Sequence, residues 1–396
     1  MMKWEARLVE SIRTHMLTWA CVCAAVLGLV IRYSFIPLVV ADNEFFFTPW
    51  YAIAREQGLA ALAVESNYSP LYLYLFTLMA KCCPTADGVK YFAIALEAGL
   101  IAAACLLTWR SARPLIKRRD TALCFILLCM NPVLILGAAG WGQVDMGYAA
   151  LAVLSIWLLL KGNSRWAMVS LGLALSLKLQ AVFLIPLFLI YNFVERKFSF
   201  LELIIVPAVW ILLGVPMALC GQSPLYAVTC YLAQTELYSN PTFNCPNVFA
   251  LLGDAMSGKQ MIQGMWSRYG MALCVAALGG MLTWLTVRRR RLDERATLLL
   301  GAWCVLCCIF FLPRMHERYG IIGEVLLLCW AVCAGKPKAF AYVLLGLLPT
   351  LSAYCEYMFK KPMFSLQLGG AMNMLLLALL TWELVRTVPA QEAAGA

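Results

Sequence analysis

Long apolar runs recur along almost the whole of this 396-residue chain, and they constrain its fold more than any other feature. Hydrophobic residues make up 63% of the sequence, and the mean hydropathy is +0.80. These values exclude an ordinary soluble domain, because a run of about 20 apolar residues can cross a bilayer as one helix. The runs are continuously apolar rather than alternating, which excludes a transmembrane barrel. The sequence therefore predicts an all-α polytopic membrane protein with one domain over residues 1–396.

The distribution of basic residues predicts how the chain crosses the membrane. There are 31 Lys and Arg against 21 Asp and Glu, an excess expected on cytoplasmic loops rather than at a nucleic-acid site. Placing residues 110–119 and 288–291 in the cytoplasm predicts about twelve spans, some of them short, with residues 17–40 as the first. Residues 41–87 then form a first outer loop with amphipathic or re-entrant helices, and residues 220–266 form a second large outer loop.

Two short apolar stretches leave the number of spans open. Residues 69–82 hold only about ten apolar residues before Lys81, which is the length of a re-entrant or interfacial element. Residues 166–194 are interrupted by Lys178 and Gln180, which favours two short spans that meet at an outer hairpin. The number of crossings therefore depends on how these two stretches are interpreted.

The cysteine and histidine positions give no cofactor signature. There is no His/Cys cluster at metal-ligand spacing, and Asp42 with Asp145 alone would be a weak site for a divalent ion. Nucleotide-binding glycine motifs are also absent, so we predict neither a metal nor another cofactor. Three cysteines share the second outer loop, and the sequence leaves open whether they form a disulfide: Cys220, Cys230 and Cys245.

The segment Pro313–Tyr319 concentrates charge between two apolar runs. It places four ionisable side chains within five residues, namely Arg314, His316, Glu317 and Arg318. Pro313 suits the first turn of a helix, where its missing N–H costs nothing. The free N–H groups of such a turn, together with the basic side chains, would form an anion site. Our hypothesis is that this segment binds a lipid-linked phosphate at the outer face of the membrane. The alternative is a charged loop that only contacts lipid headgroups.

Further polar residues fall on the same outer face in this topology. Asp42 follows the first span, and a carboxylate there can take a proton from an attacking hydroxyl, with Glu44 as the rival base. Lys178 stands among leucines and suits a phosphate partner, although snorkelling to the interface is the alternative. Gln143 and Asp145 follow a Gly-Trp-Gly turn and suit sugar hydroxyls. Because the topology rests on charge bias alone, this convergence is the main evidence for a site.

Several of these residues stand in motifs that resemble those of the GT-C glycosyltransferases, in the same order. The set most resembles bacterial proteins related to the GPI-anchor mannosyltransferases, and it spans about residues 40–320. One departure is Ser69, which replaces the usual first proline of a Pro-Pro pair. Besides Asp42, the motifs are Asn67-Tyr68-Ser69-Pro70, Trp141-Gly142-Gln143-Val144-Asp145, Lys178-Leu179-Gln180, His316-Glu317-Arg318-Tyr319 and an outer-loop segment, Phe243–Gly253.

The resemblance implies an inverting, metal-independent transfer of a hexose, with mannose favoured, from a polyprenyl-phosphate sugar to an acceptor hydroxyl. The acceptor would be a glycan, a lipid or a cell-wall polymer, and the reaction would take place at the extracytoplasmic face of a bacterial plasma membrane. Asp42 matches the family's catalytic base, and His316 with Arg318 matches its donor-phosphate contacts. We add Arg314 and Lys178 to the phosphate contacts. Substrate contacts are expected from Glu44, Asn67, Tyr68, Gln143, Asp145, Gln180, Asn247, Glu317 and Tyr319.

Two other classes of protein would also carry charges at one membrane face. A transporter or flippase of lipid-linked glycans would line its substrate path with such residues, but no internal repeat is visible in the sequence. A membrane scaffold without enzymatic activity would leave the clustering on one face unexplained. Neither the sugar nor the acceptor follows from the residues themselves.

Overall fold

The computed structural model describes residues 3–223, 225–236, 240–253 and 260–390, and these residues are mostly helical. The prediction of an all-α polytopic membrane protein is therefore confirmed. Seven helical segments are long and apolar enough to cross a membrane, and a bent pair of helices makes up to eight. Shorter apolar helices cover Asp145–Leu160, Leu179–Glu195 and Ile321–Ala334. The predicted count of about twelve spans includes these shorter segments, and it stays a prediction.

The helices follow one another with short connections. In chain order they are α1 (Lys3–Thr14), α2 (Met16–Phe35), α3 (Thr48–Glu56), α4 (Leu59–Glu65), α5 (Pro70–Cys82), α6 (Gly88–Ser111), α7 (Lys117–Cys129), α8 (Pro132–Ile135), α9 (Asp145–Leu160), α10 (Ser164–Leu177), α11 (Ile185–Glu195), α12 (Ile205–Gly214), α13 (Tyr226–Glu236), α14 (Val248–Leu252), α15 (Gln260–Val287), α16 (Glu294–Phe311), α17 (Ile321–Ala334), α18 (Pro337–Phe359) and α19 (Leu366–Thr387). Short 3₁₀ or π-helical turns extend several of them, including Asn43–Phe47, Leu136–Trp141 and Leu179–Leu184.

Both predicted outer loops contain ordered elements. Residues 41–87 carry the short helices α3, α4 and α5, which suits the predicted amphipathic or re-entrant elements. In the second loop, α13 and α14 flank a two-residue strand, β1 (Thr242–Phe243). The thiols of that loop are free in the structure: Cys220, Cys230 and Cys245.

The segment after α16 differs from the prediction. Pro313 does not open a helix, because residues 312–320 are not helical and α17 begins only at Ile321. Arg314 has a φ of 62°, and its N–H donates to the Pro241 carbonyl at 2.7 Å. The next two residues form β2 (Met315–His316), which pairs in parallel with β1. The predicted anion site at a helix N-terminus is therefore wrong, since this backbone is tied to the second outer loop instead.

One end of the helix bundle collects the basic loops, and we call residues 110–119, 195–197 and 288–295 the basic end. Arg110 forms an ion pair with Glu294 at 2.8 Å, and the Leu292 N–H donates to Glu195 at 2.6 Å. Arg295 donates to the Ser111 carbonyl at 3.2 Å. These contacts place the ends of α6 and α11 beside the start of α16. At the opposite ends of α11 and α16, residues 182–183 and 313–319 line the cavity described next.

Candidate active site

A cavity of about 510 Å³ collects the predicted motifs from distant parts of the chain. Its walls come from the turn after α2, the starts of α3 and α5, the break between α10 and α11, the β1 segment, the segment 313–319 and the end of α18. The predicted site residues that line it are Asp42, Asn67, Tyr68, Lys178, Gln180, Arg314, His316, Glu317, Arg318 and Tyr319.

Asp42 is held at the cavity wall by three side-chain donors. Its Oδ2 accepts hydrogen bonds from Trp141 Nε1 at 2.8 Å and from Gln143 Nε2 at 2.9 Å. Its Oδ1 accepts one from the Tyr357 hydroxyl at 2.8 Å. Since both oxygens are engaged by groups from α18 and from the turn before α9, the carboxylate has a fixed orientation.

The backbone around Asp42 is tied to the Gly-Trp-Gly turn. The Lys90 ammonium donates to the carbonyls of Ile36, at 2.8 Å, and Leu38, which satisfies acceptors left open after α2 ends. Asn43 Nδ2 donates to the Trp141 carbonyl at 2.8 Å. Gly142 has a φ of 80°, and a Cβ there would lie 3.3 Å from the Lys90 side chain. This turn therefore needs glycine, and it brings Trp141 to the aspartate.

Lys178 and Arg318 share one buried carboxylate. Asp145 is the first residue of α9, and its Oδ1 forms an ion pair with the Lys178 ammonium. Its Oδ2 lies 3.4 Å from Arg318 Nε. Burial lowers the pKa of Lys178 to about 8, although the nearby Asp145 charge opposes that shift. The predicted sugar contact Asp145 is thus a counter-ion behind the cavity wall, while both of its cations line the cavity.

His316 is packed between aromatic rings. Its imidazole stacks on Phe243, with ring centroids 4.9 Å apart and an interplanar angle of 21°, and it contacts the Tyr319 ring at 5.1 Å. Burial lowers the pKa of His316, and Arg318 contributes to that shift, whereas the Glu317 carboxylate opposes it. This shift favours the neutral imidazole, which has one nitrogen as a donor and the other as an acceptor. Arg314 is exposed at the rim of the cavity.

Four predicted site residues lie away from the cavity lining. Glu44, two residues after Asp42, is exposed and is not among the cavity-lining residues. Gln143 and Asp145 stand behind the wall, where they hold Asp42 and the two cations. Asn247 caps α14, since its Oδ1 accepts hydrogen bonds from the N–H groups of Phe249 and Ala250.

The sequence analysis assigned no role to several aromatic residues at the site. Trp50, Phe46 and Phe243 line the cavity, and so does Tyr357. The Tyr357 ring also stacks on Trp141, with centroids 4.1 Å apart and an interplanar angle of 13°. In an aromatic-rich membrane protein a single tyrosine at a helix end carries no local signal. The contact between Tyr357 and Asp42 joins positions too far apart in sequence to be predicted from residue spacing.

The fold and the cavity define a polytopic membrane protein in which Asp42, Lys178 and Arg318 line one cavity. The family model for glycosyltransferase family 87 matches residues 67–313, more than half of the chain. The chain therefore belongs to glycosyltransferase family 87 and is a membrane glycosyltransferase. No curated protein matches the chain. Asp42, the residues 314–319 and Tyr357 lie outside the matched range.

Proposed function

We propose that this glycosyltransferase transfers a hexose, with mannose favoured, from a polyprenyl-phosphate sugar to an acceptor hydroxyl. One observation carries the proposal: the Asp42 carboxylate lines the same cavity as His316 and Arg318. A base for the acceptor and donors for a phosphate are the two groups that this chemistry needs. The resemblance to the GT-C enzymes supports the same donor class and an inverting outcome.

In the proposed reaction, Asp42 acts as the general base. The acceptor hydroxyl gives its proton to Asp42 as its oxygen attacks the anomeric carbon of the sugar. The bond from that carbon to the phosphate oxygen breaks, and the electron pair leaves with the polyprenyl phosphate. Attack from the face opposite the phosphate inverts the anomeric configuration. Because Trp141 and Gln143 already occupy Oδ2, Oδ1 is the atom that we assign to the proton.

The cations of the cavity bind the phosphate in this proposal. A phosphodiester donor carries one negative charge, and the departing phosphate gains a second as the bond breaks. Arg318, which is permanently charged, and His316, as a neutral donor, stabilise this developing charge. Arg314 at the rim and Lys178 on the wall add positive potential. Because the second charge develops only as the bond breaks, these residues bind the donor more tightly in the transition state than in the ground state.

Gln180 presents a buried acceptor that suits a hydroxyl group of a sugar. Its Oε1 has no hydrogen-bond partner within the described residues. An unpartnered buried acceptor costs free energy that a ligand donor would recover. Gln180 lines the cavity, and we assign it to a hydroxyl of the donor sugar or of the acceptor.

We place the reaction at the extracytoplasmic face of a bacterial plasma membrane. The basic end is expected in the cytoplasm, and the cavity lies at the opposite helix ends. A polyprenyl-linked sugar suits the extracytoplasmic face, because its lipid stays in the bilayer while its sugar has already crossed the membrane. The acceptor is then a glycan, a lipid or a cell-wall polymer.

The purified protein in lipid nanodiscs tests this proposal. Polyprenyl-phosphate mannose, glucose and galactose are offered as donors together with envelope glycan acceptors. We expect the glycosylated product and free polyprenyl phosphate to form together, fastest with mannose. D42N should lower turnover by about 10³-fold, within the range for loss of a general base, with the KM for the donor little changed.

Three results would count against the proposal. Wild-type turnover in D42N would remove the base. Use of a nucleotide sugar in place of the lipid-linked donor would replace the donor class. In sealed vesicles, movement of the lipid-linked sugar across the bilayer without any glycosidic product would identify a flippase instead.

A further inference from the structure

Tyr357 joins the cavity from a part of the chain that the family match does not reach. It lies near the end of α18 and lines the cavity beside Asp42. The residue is half-buried, and its hydroxyl group is hydrogen-bonded to Asp42 at the cavity wall. None of the motifs that predicted the site includes it.

The Tyr357 hydroxyl makes two hydrogen bonds with the same residue. It accepts from the Asp42 backbone N–H at 3.2 Å, and it donates to Asp42 Oδ1 at 2.8 Å. The first contact occupies a lone pair of the hydroxyl oxygen, and the second directs its proton to the carboxylate. Together they fix the main chain and the side chain of Asp42 relative to each other.

The Tyr357 ring connects this aspartate to the cation cluster through Trp141. Trp141 is fully buried and stacks on Tyr357, while its Nε1 donates to Asp42 Oδ2. The Arg318 guanidinium lies 4.8 Å from the centroid of the same Trp141 ring, within the range of a cation–π contact. One indole therefore contacts the proposed base, the proposed phosphate ligand and Tyr357.

We propose that Tyr357 is a positioning residue for the transfer reaction, which holds Asp42 Oδ1 toward the acceptor hydroxyl. This inference rests on the proposed function. Without the hydroxyl, the carboxylate loses the only donor that the described residues give to Oδ1. It is then held only through Oδ2, by Trp141 and Gln143, and Oδ1 is free to shift away from the acceptor. Small losses of alignment between reacting atoms lower rates steeply, whereas donor binding depends on other residues.

Y357F tests this role, with Y342F as the matched control. Tyr342 is on the same helix, stacks on Trp330 and is not among the cavity-lining residues. We expect Y357F to lower kcat by about 10- to 100-fold, the scale for loss of a hydrogen bond to a charged group. The KM for polyprenyl-phosphate mannose should stay within about twofold, as for a loss confined to the chemical step. Y342F should keep both constants within about twofold of the wild type, because Tyr342 lies outside the cavity lining and its ring still stacks on Trp330.

The thermal unfolding of both variants separates positioning from folding. A lower kcat in Y357F, with the unfolding temperature of Y342F, supports the inference. A wild-type kcat in Y357F, or a kcat loss that merely follows a loss of folded protein, overturns it. D42N is measured in parallel: if D42N is inactive while Y357F is fully active, only this inference fails. If D42N is also fully active, the proposed base itself is wrong.

Discussion

Two buried charge clusters in this molecule have the same kinds of residues but different surroundings. Arg32 and Glu97 form an ion pair between α2 and α6, and further Arg32 donors reach the carbonyls of Gly28 and Cys129 at 2.9 and 2.8 Å. The charges of this pair therefore have their ionic and hydrogen-bond partners within the protein. In the other cluster, Asp145 serves both Lys178 and Arg318, and these two cations line an open cavity.

The comparison shows that burial of charge does not by itself identify an active site in a membrane bundle. Burial of Arg32 costs free energy, but its contacts join three helices, namely α2, α6 and α7. The contact with α7 is made at Cys129, the last residue of that helix, at the 48° bend before α8. In the cluster at Asp145, Arg318 also lies 4.0 Å from the Glu317 carboxylate, so two cations face two carboxylates. What differs from the first pair is that Lys178 and Arg318 line a cavity, where a ligand can reach them. Access of the charged groups to a cavity is therefore the feature that distinguishes a ligand site from a structural ion pair.

Removing Arg318 should have the largest effect on catalysis. R318A is expected to lower kcat/KM for the lipid-linked donor by about 100- to 1,000-fold, because it deletes a buried charged ligand of the phosphate. Asp145 keeps Lys178 as its partner and Glu317 keeps His316, and kcat/KM is compared per folded molecule. Steady-state kinetics with the donor varied measure this effect. Wild-type kinetics in R318A would remove the arginine from the donor site.

Breaking the Arg32–Glu97 pair should instead affect folding. R32A leaves Glu97 buried without a partner, a change that costs about 3–5 kcal/mol in the free energy of unfolding. The double variant R32M/E97L removes both charges, and we expect it to recover most of the folded yield and turnover within about twofold of the wild type. Size-exclusion profiles and turnover per folded molecule measure both. If R32M/E97L folds but is inactive, the two clusters are not functionally different.

The pH dependence of Lys178 should give the smallest effect. Its pKa of about 8 means that the ammonium is lost as the pH rises through that value, so we expect a several-fold decline of kcat/KM above pH 8. K178R should keep its activity there, because arginine stays protonated. A decline of equal size in K178R would show that another group causes it.

The decline in the wild type would not reflect unfolding caused by this lysine. The folded pKa lies below the unfolded value of about 10.4, so the unfolded chain binds more protons between these two values. Stability from this group therefore rises with pH across that window. A parallel measurement of thermal unfolding at pH 7 and pH 9 checks the sign.

The amino-acid pattern predicted the helical membrane class and several of the cavity-lining residues, and the reason is physical. Basic loops and apolar lengths decide which helix ends share a side, so Asp42, Lys178 and His316 were expected together before any contact was known. The same reasoning could not give the partner of Lys178 or the contact between Asp42 and Tyr357, since side-chain pairing depends on how the helices pack.

Backbone conformation was a second limit. The preference of Pro313 for a helix start is a local one, and the hydrogen bonds of Arg314 and β2 with residues 241–243 override it. Glu44 is a second example of a residue whose position depends on the local backbone. It is close to Asp42 in sequence, but the π-helical turn directs it outward.

The most direct test of the account is a structure of the protein with a non-hydrolysable phosphonate analogue of polyprenyl-phosphate mannose. We expect the phosphonate oxygens within about 3 Å of Arg318 and His316, which is hydrogen-bond distance. The anomeric carbon should face Asp42, with room between them for an acceptor hydroxyl. A phosphonate bound outside this cavity, or a sugar separated from Asp42 by protein side chains, would contradict the account.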